Sequence, residues 1–184
     1  MTVLVRKVLT KNQSPLFKVF ARKCSKLIEF SPSKEQWDTE KLTCLQNSFK
    51  CHENFISENE EKSLLKEVEP HLKRLIYEKD HWDEAIEGFR ETERKHWNPL
   101  NSEVISRLQK CAFQPEDRLL PYVHVLDLAE DGHIKPHIDS SRFCGNTVAV
   151  LSLLSDSILK LVHDKDKNFS VKYLIPKRSL YVMS

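Results

Sequence analysis

The chain has 184 residues, of which 40% are hydrophobic and 30% charged, which is enough for one moderate core and cramped for two. Its 29 basic and 27 acidic residues give a formal charge of +2, which excludes the strongly basic profile of proteins that hold nucleic acid mainly by charge. Lys and Arg interrupt every apolar run before it reaches the roughly 18 residues needed to span a bilayer, so the sequence predicts no membrane span.

The first 28 residues combine basic and apolar side chains. Seven Lys or Arg residues precede the first acidic residue, Glu29. This composition is typical of an amphipathic mitochondrial presequence, and a disordered basic tail is the alternative. We therefore predict that residues 1–28 are a transit peptide or basic tail and that residues 29–54 are an irregular linker.

Two helices are predicted next. The first begins after Ser57, which forms a capping-box pattern with Glu60, and apolar residues recur at steps of three and four from Leu64 to Ile76. The second has Ser102 as its predicted cap. Its apolar face contains Val104, Ile105, Leu108 and Ala112. We interpret both apolar faces as core packing.

The remainder of the chain is rich in β-forming residues. Five strands are predicted, at residues 122–128, 147–154, 158–162, 171–175 and 179–183. Between the first two, Glu130–Gly132 is predicted to be a turn and residues 134–139 a short extended segment. Helices followed by strands predict an α+β fold in which N-terminal helices pack on a jelly-roll core.

An H-x-D motif lies in the short extended segment. Residues i and i+2 of an extended chain point to the same side, so His137 and Asp139 would present an imidazole and a carboxylate together. These are two of the three ligands of the facial triad of non-haem Fe(II) enzymes. The alternative is a turn Asp beside a solvated His. A second H-x-D, at His81, has no predicted strand beside it and is interpreted as surface or packing chemistry.

The residues around the first motif resemble the core of a known family. The stretch HVLDLAEDGHIKPHID from His124 to Asp139, followed by RFCG from Arg142 and TVAVLSLLS from Thr147, is similar to the AlkB family of Fe(II)/2-oxoglutarate-dependent dioxygenases. The likeness includes residues 77–93, extends from about residue 55 to residue 183, and is nearest to a mitochondrial member. It implies that residues 55–184 are a partial AlkB-like domain, a double-stranded β-helix that is incomplete at its C-terminus.

The resemblance assigns roles to three residues. It implies that His137 and Asp139 bind Fe(II) and that Tyr181 contacts the cosubstrate 2-oxoglutarate. The family's distal iron-binding His and its 2-oxoglutarate-binding Arg lie beyond the strand of Tyr181, so we expect the chain to end before the metal site is complete. His163 and Arg178 are poor substitutes, because each lies in a predicted polar turn.

One departure from the family concerns the substrate. Leu126 and Leu128 fall roughly where members that act on nucleic acid carry an Asn-x-Tyr pair. The resemblance implies a monomeric enzyme of the mitochondrial matrix that uses O2 and 2-oxoglutarate to hydroxylate a protein side chain or to demethylate mitochondrial RNA. DNA is not an expected substrate, and a link to regulated necrosis and fatty-acid metabolism is implied.

A rival interpretation is a catalytically incomplete isoform or fragment that serves as a binding or structural module. A zinc hydrolase is disfavoured, because the sequence contains no tightly spaced set of His or Cys ligands.

Overall fold

The computed structural model describes residues 2–6, 26–82, 84–139 and 145–184, and of residues 2–6 and 26–28 it describes only the backbone. The α-helices of these ranges are α1 (Thr39–Ser48), α2 (Glu58–Leu72) and α3 (Pro99–Ala112), and a short 3-10 helix spans Lys34–Gln36. The strands are β1 (Thr2–Arg6), β2 (Lys26–Ser31), β3 (Phe49–His52), β4 (Glu78–Asp80), β5 (Ile86–Arg94), β6 (Val123–Ile134), β7 (Val148–Leu153), β8 (Ser157–Val162), β9 (Ser170–Ile175) and β10 (Leu180–Met183). The predicted mixed α+β class and its five strands are confirmed.

The strands form two sheets. A seven-stranded sheet has the order β3-β10-β7-β1-β6-β5-β4, and a three-stranded sheet has the order β2-β9-β8. Within the larger sheet β1 is parallel to both of its neighbours, β6 and β7, whereas the other described pairs are antiparallel. The finer expectation of a jelly roll stays a prediction.

One face of the larger sheet packs against helices α2 and α3. Val125, Leu151 and Leu180 point to this face and are fully buried. They pack in one cluster with Leu64 of α2 and Leu108 of α3. Because neighbouring residues of a strand point to opposite faces, these side chains alternate with the ones that face the smaller sheet.

The opposite face packs against the three-stranded sheet. The buried residues between the two sheets come from both of them and form a second apolar cluster. Its buried members are Phe49, Phe89, Leu126, Leu128, Val150, Ile175 and Tyr181. The two sheets therefore enclose a layer of their own, separate from the layer under the helices.

Helix α2 begins as predicted but ends early. Ser57 caps it, with the Glu60 carboxylate accepting the Ser57 amide at 2.7 Å and the Ser57 hydroxyl accepting the Glu60 amide at 3.3 Å, so the capping box is confirmed. The prediction that its apolar face continues to Ile76 is wrong. Pro70 removes an amide donor from the last turn, the helix ends at Leu72, and Ile76 is 83% exposed.

Helix α3 is capped by a different residue from the one predicted. The Asn98 side chain accepts the amide of Asn101 at 2.9 Å, whereas Ser102 lies inside the helix. Pro99 explains the difference, because proline favours the first helical position and leaves the preceding residue as the cap. None of the described helices has the length and apolar character that a membrane crossing requires.

Two predicted irregular regions contain regular structure. The prediction that residues 29–54 form an irregular linker is wrong, because these residues contain α1 and β3. Strand β3 pairs with β10 at the edge of the larger sheet. Residues 2–6 and 26–28 of the predicted transit peptide or basic tail lie in strands β1 and β2, while residue 1 and residues 7–25 of that prediction lie outside the described residues. His81 lies between β4 and β5, where the sequence suggested no strand.

A close approach of two backbones replaces the turn predicted at Glu130–Gly132. Strand β6 continues to Ile134, and the register of β5 against it shifts between Glu87 and Phe89. Gly88 lies at this shift with φ +62°, in the left-handed region. A Cβ atom on Gly132 would collide with the Gly88 carbonyl oxygen. The glycine that suggested a turn therefore allows two strands to meet at a bulge.

Candidate metal and cosubstrate site

A cavity of about 860 Å³ lies between the two sheets. Its wall is largely aliphatic and comes from β6, β7 and β10 on one side and from β8 and β9 on the other. The three residues to which the sequence assigns ligand contacts, His137, Asp139 and Tyr181, all line it. The fold therefore brings together side chains that are more than forty residues apart in sequence.

His137 and Asp139 are held close together by the segment that follows β6. Nε2 of His137 lies 3.2 Å from Oδ1 of Asp139, and each side chain is 38% exposed. The strand geometry used to predict this pairing is wrong, because β6 ends at Ile134 and residues 135–139 are irregular. The Lys135 amide instead donates to the Ala85 carbonyl at 2.7 Å, which fixes the start of this segment against the end of the turn before β5.

The His137 ring is oriented by the backbone carbonyl of Lys135. Its Nδ1 lies 2.8 Å from the carbonyl oxygen of Lys135, and because a carbonyl can only accept, Nδ1 carries the hydrogen. Nε2 is the nitrogen that faces Asp139, and in the tautomer with its single hydrogen on Nδ1 this nitrogen carries a lone pair. Histidines that bind metals usually donate their other ring N–H to a carbonyl or carboxylate in this way.

The two side chains fit adjacent positions on a metal ion. Neighbouring ligands of an octahedral ion, each at about 2.1 Å, lie about 3 Å apart, close to the 3.2 Å between His137 and Asp139. An imidazole and a carboxylate are also the donor types of non-haem Fe(II) sites. Among the residues that the structure describes, no group of three His, Cys, Asp or Glu side chains is placed to hold a metal. The pair therefore supplies two donors.

Neither residue considered as a substitute lines the cavity. His163 follows β8, and its Nδ1 accepts the amide of Asp166 at 3.1 Å. Arg178 precedes β10 and donates to the nearly buried carboxylate of Glu61 at 3.3 Å. Each side chain therefore stabilises a turn, which agrees with the interpretation made from the sequence.

Tyr181 is buried on β10, between Val150 of β7 and Cys51 of β3. Burial raises the pKa of Tyr181 far above its usual value, and the negative charge of nearby Asp139 adds to this effect. The phenol therefore stays protonated at neutral pH and can donate a hydrogen bond. Its position next to Asp139 places this donor beside the two potential metal ligands.

Sequence reasoning missed His124 as a residue of this site. His124 lines the cavity, and its Nε2 donates to Oε2 of Glu91 at 2.8 Å. His81 approaches the other oxygen of the same carboxylate at 3.6 Å and packs edge-on against Phe89 at 5.3 Å between ring centroids. The alternation of side chains along β6 could have identified His124, because it shares a strand face with Leu126 and Leu128. Both leucines also line the cavity.

No family model matches the chain, but two curated relatives do. One is the mouse (Mus musculus) protein "Alpha-ketoglutarate-dependent dioxygenase alkB homolog 7, mitochondrial", which is 46% identical over 146 residues, or 79% of this chain and 66% of the relative. The cattle (Bos taurus) protein of the same name is 46% identical over 142 residues, or 77% of this chain and 64% of the relative. The chain thus spans just under two thirds of the length of these relatives.

Proposed function

Because the chain belongs to the AlkB-like family of 2-oxoglutarate-dependent dioxygenases, we propose that its cavity binds Fe(II) through His137 and Asp139 and binds 2-oxoglutarate beside Tyr181. One observation carries this proposal most directly. The Lys135 carbonyl holds the hydrogen of His137 on Nδ1, and this leaves Nε2 3.2 Å from the Asp139 carboxylate. A metal ion between the two groups would accept an electron pair from each of them.

When bound, Fe(II) with O2 and 2-oxoglutarate supplies the oxidising power to insert one oxygen atom into a C–H bond, with succinate and CO2 as the coproducts. The chain's own residues orient and enclose the reactants. The buried Tyr181 hydroxyl would donate a hydrogen bond to an oxygen of 2-oxoglutarate bound in the cavity. Leu126, Leu128 and Val150 give the wall its aliphatic character.

The lining of the cavity favours a protein side chain as the substrate over an RNA base. Enzymes that act on an extruded base stack it between aromatic or apolar side chains. Among the residues that the structure describes, Tyr181 is the one aromatic residue other than histidine that lines the cavity, and it is buried. Hydroxylation of a protein side chain is therefore the reaction we propose first, and demethylation of RNA is the alternative outcome.

The proposed setting is the mitochondrial matrix, where the protein would act as a monomer. The names of both relatives include the word "mitochondrial", which supports the organelle. The matrix, the monomeric state and the link to regulated necrosis and fatty-acid metabolism are part of the proposal made from the family resemblance.

Metal binding by the 184-residue chain tests the proposal. Mn(II) can replace Fe(II) as a probe, and its free fraction can be followed by electron paramagnetic resonance. His137→Ala and Asp139→Ala should each weaken Mn(II) binding on the order of 10- to 100-fold or more. His163→Ala, which removes a histidine outside the cavity, is the matched control. Equal affinities in all four proteins would refute the assignment of the metal ligands.

A non-catalytic binding module is the second candidate, favoured by the presence of two rather than three metal donors among the described residues. Conversion of 2-oxoglutarate to succinate distinguishes the two candidates. Succinate formation that requires Fe(II) and is abolished by His137→Ala supports the enzyme. Binding of Mn(II) and 2-oxoglutarate without succinate formation supports the module.

A further inference from the structure

The cavity between the two sheets is open to solvent at the end that holds His137 and Asp139. Both of these side chains are 38% exposed, whereas Tyr181 and Val150, which line the same cavity, are 7% and 5% exposed. The exposed lining residues therefore mark the mouth of the cavity, and the buried ones mark its floor. A substrate that approaches from solvent would meet the two potential metal ligands at the mouth.

Large apolar side chains are exposed around this mouth. Ile134 of β6 and Ile158 of β8 line the cavity and are 39% and 62% exposed. Ile138 lies between the two potential metal ligands in sequence and is 80% exposed, and Trp82 is 87% exposed. We call these four residues the mouth rim. Single exposed apolar residues are ordinary, but a group of them beside a candidate site indicates a contact surface.

The turn that carries Trp82 is attached to the segment that carries the metal ligands. This turn joins β4 to β5, and its last residue, Ala85, accepts the amide of Lys135 at 2.7 Å. Lys135 is the first residue of the irregular segment that follows β6. At the other side of Trp82, the ring of His81 packs edge-on against the buried Phe89. Both ends of the turn are therefore supported, and Trp82 lies beside the mouth.

The charges around Trp82 are mixed, with an excess of acidic groups. Asp80 and Glu84 precede and follow it by two residues. The carboxylates around this turn belong to Asp80, Glu84 and Glu87, and the ammonium groups to Lys79 and Lys135. On β8, the cavity-lining Asp156 and Lys160 carry one charge of each sign. An exposed indole attracts a cation over its ring face, and neighbouring carboxylates strengthen that attraction. The same carboxylates repel a phosphate backbone.

We propose that the mouth rim binds an extended protein segment, with a Lys or Arg side chain of that segment on the Trp82 indole and an aliphatic side chain on the rim isoleucines. The inference rests on the proposed function, because the side chain between these two anchors is the one presented to the metal. Alternate side chains of an extended segment point to the same side. A basic residue and an aliphatic residue four positions apart therefore leave one side chain between them that points into the cavity. Trp82 selects the substrate without touching the reacting atoms.

Fluorescence polarisation with the full chain, in the presence of Mn(II) and 2-oxoglutarate, tests this proposal. The probes are fluorescein-labelled heptapeptide mixtures. The first mixture has Lys and Ile four positions apart, in either order, with random residues elsewhere. The second has Glu in place of Lys, and the third has Ser in place of Ile. The Lys–Ile mixture should bind on the order of 10-fold more tightly than the Glu–Ile mixture, because only Lys is attracted to the indole and its carboxylates.

Substitutions in the rim assign the two anchors. Trp82→Ala should weaken binding of the Lys–Ile mixture about 5-fold and remove most of its advantage over the Glu–Ile mixture. Trp82→Phe should keep part of this advantage, because a phenyl ring also attracts a cation, though less strongly than an indole. Ile158→Ser should weaken binding of the Lys–Ile mixture and leave the preference for Lys. Ile76→Ala, which truncates a similarly exposed residue outside the cavity lining, is the matched control and should change nothing.

Three results would overturn the role of the rim. The first is equal binding of the three mixtures, or a preference for Lys that persists in Trp82→Ala. The second is tighter binding of a labelled oligouridylate than of the Lys–Ile mixture, weakened by Trp82→Ala, which would assign the rim to RNA. The third is a dimer in sedimentation that becomes a monomer in Trp82→Ala, which would assign the rim to a second copy of the chain.

Mn(II) titration of the same samples separates this inference from the proposed function. If the unsubstituted chain binds Mn(II) through His137 and Asp139, any of the three results overturns the inference and leaves the proposed function standing. If the unsubstituted chain does not bind Mn(II), the proposed function is refuted, and the assignment of the bound segment as a substrate is refuted with it.

Discussion

The two faces of the seven-stranded sheet are built from alternate residues of the same strands, but their contents differ. On β10, Leu180 points to the helices and is fully buried, whereas the next residue, Tyr181, lines the cavity. On β7, Leu151 and Val150 show the same division. The face that packs against α2 and α3, the helix face, is filled by aliphatic side chains. The face that borders the cavity, the cavity face, combines an aliphatic wall with imidazole, carboxylate and phenol groups.

This difference shows how one sheet can separate stability from chemistry. Helices α2 and α3 close the first face, so truncation of a side chain there leaves a void surrounded by protein. The second face already borders an open volume, so its side chains lack partner atoms on one side. Substitutions on the helix face should therefore affect the free energy of unfolding most, and substitutions on the cavity face should affect ligand binding most.

Truncating a matched pair of leucines tests this division and should give the largest effect. Leu151→Ala on the helix face should lower the free energy of unfolding by about 4 kcal/mol, because it creates a cavity in a closed core. Leu128→Ala on the cavity face should cost about 2 kcal/mol, since Leu128 borders existing open space. Urea unfolding of both variants measures the two values. Equal losses would show that the two faces are packed alike.

Breaking the nearly buried ion pair between Arg178 and Glu61 should give the next largest loss in the free energy of unfolding. Arg178 donates to Glu61 at 3.3 Å, and the Glu61 carboxylate, which is 8% exposed, also accepts the amide of Leu154 at 2.9 Å. Arg178→Met should cost about 2 to 3 kcal/mol, because it leaves a nearly buried carboxylate without its cation. Adding Glu61→Gln should recover part of this loss. The prediction fails if the double variant is as unstable as the sum of the single variants.

Alkaline pH should reveal the burial of Tyr181. Burial raises the pKa of Tyr181 in the folded protein, whereas an unfolded tyrosine ionises near pH 10. Above about pH 10 the unfolded chain therefore releases a proton that the folded chain retains, and stability falls as the pH rises. The contribution of Tyr181 is complete below that pH.

Removing the phenol measures this contribution. Tyr181→Phe should reduce the alkaline slope of the unfolding free energy by up to about 1.4 kcal/mol per pH unit. Tyr173→Phe should reduce it less, because Tyr173 is only partly buried, although burial raises the pKa of Tyr173 as well. Urea unfolding between pH 9 and pH 11 gives the slopes. A slope that is unchanged in Tyr181→Phe would mean that this phenol is accessible to water in the folded protein.

The features that the sequence predicted correctly depend on local patterns. Ser57 and Glu60 satisfy a helix cap within four residues, and the strands after residue 122 have strong β propensity. The missed features depend on distant partners. Strand β3 exists because it pairs with β10, more than 120 residues later, and Gly132 is required by a contact with Gly88 that local sequence does not reveal.

The residues of the candidate site show the same contrast between local patterns and distant partners. His137 and Asp139 were found from their spacing and the family resemblance, although an irregular segment rather than a strand brings them together. Their orientation depends on the Lys135 carbonyl and on an amide contact with Ala85, which no spacing predicts. His124 was missed because the orientation of its ring depends on Glu91, a residue on a neighbouring strand that local sequence does not place beside it.

The binding of a metal ion between His137 and Asp139 is the central claim, and paramagnetic broadening tests it directly. Mn(II) is added to the chain labelled with ¹⁵N-histidine, and the imidazole signals are followed by NMR. We expect substoichiometric Mn(II) to broaden the His137 signals first and to leave those of His163 sharp. This selectivity should be lost in Asp139→Ala. Broadening of His163 before His137, or selective broadening of His137 that persists in Asp139→Ala, would contradict the claim.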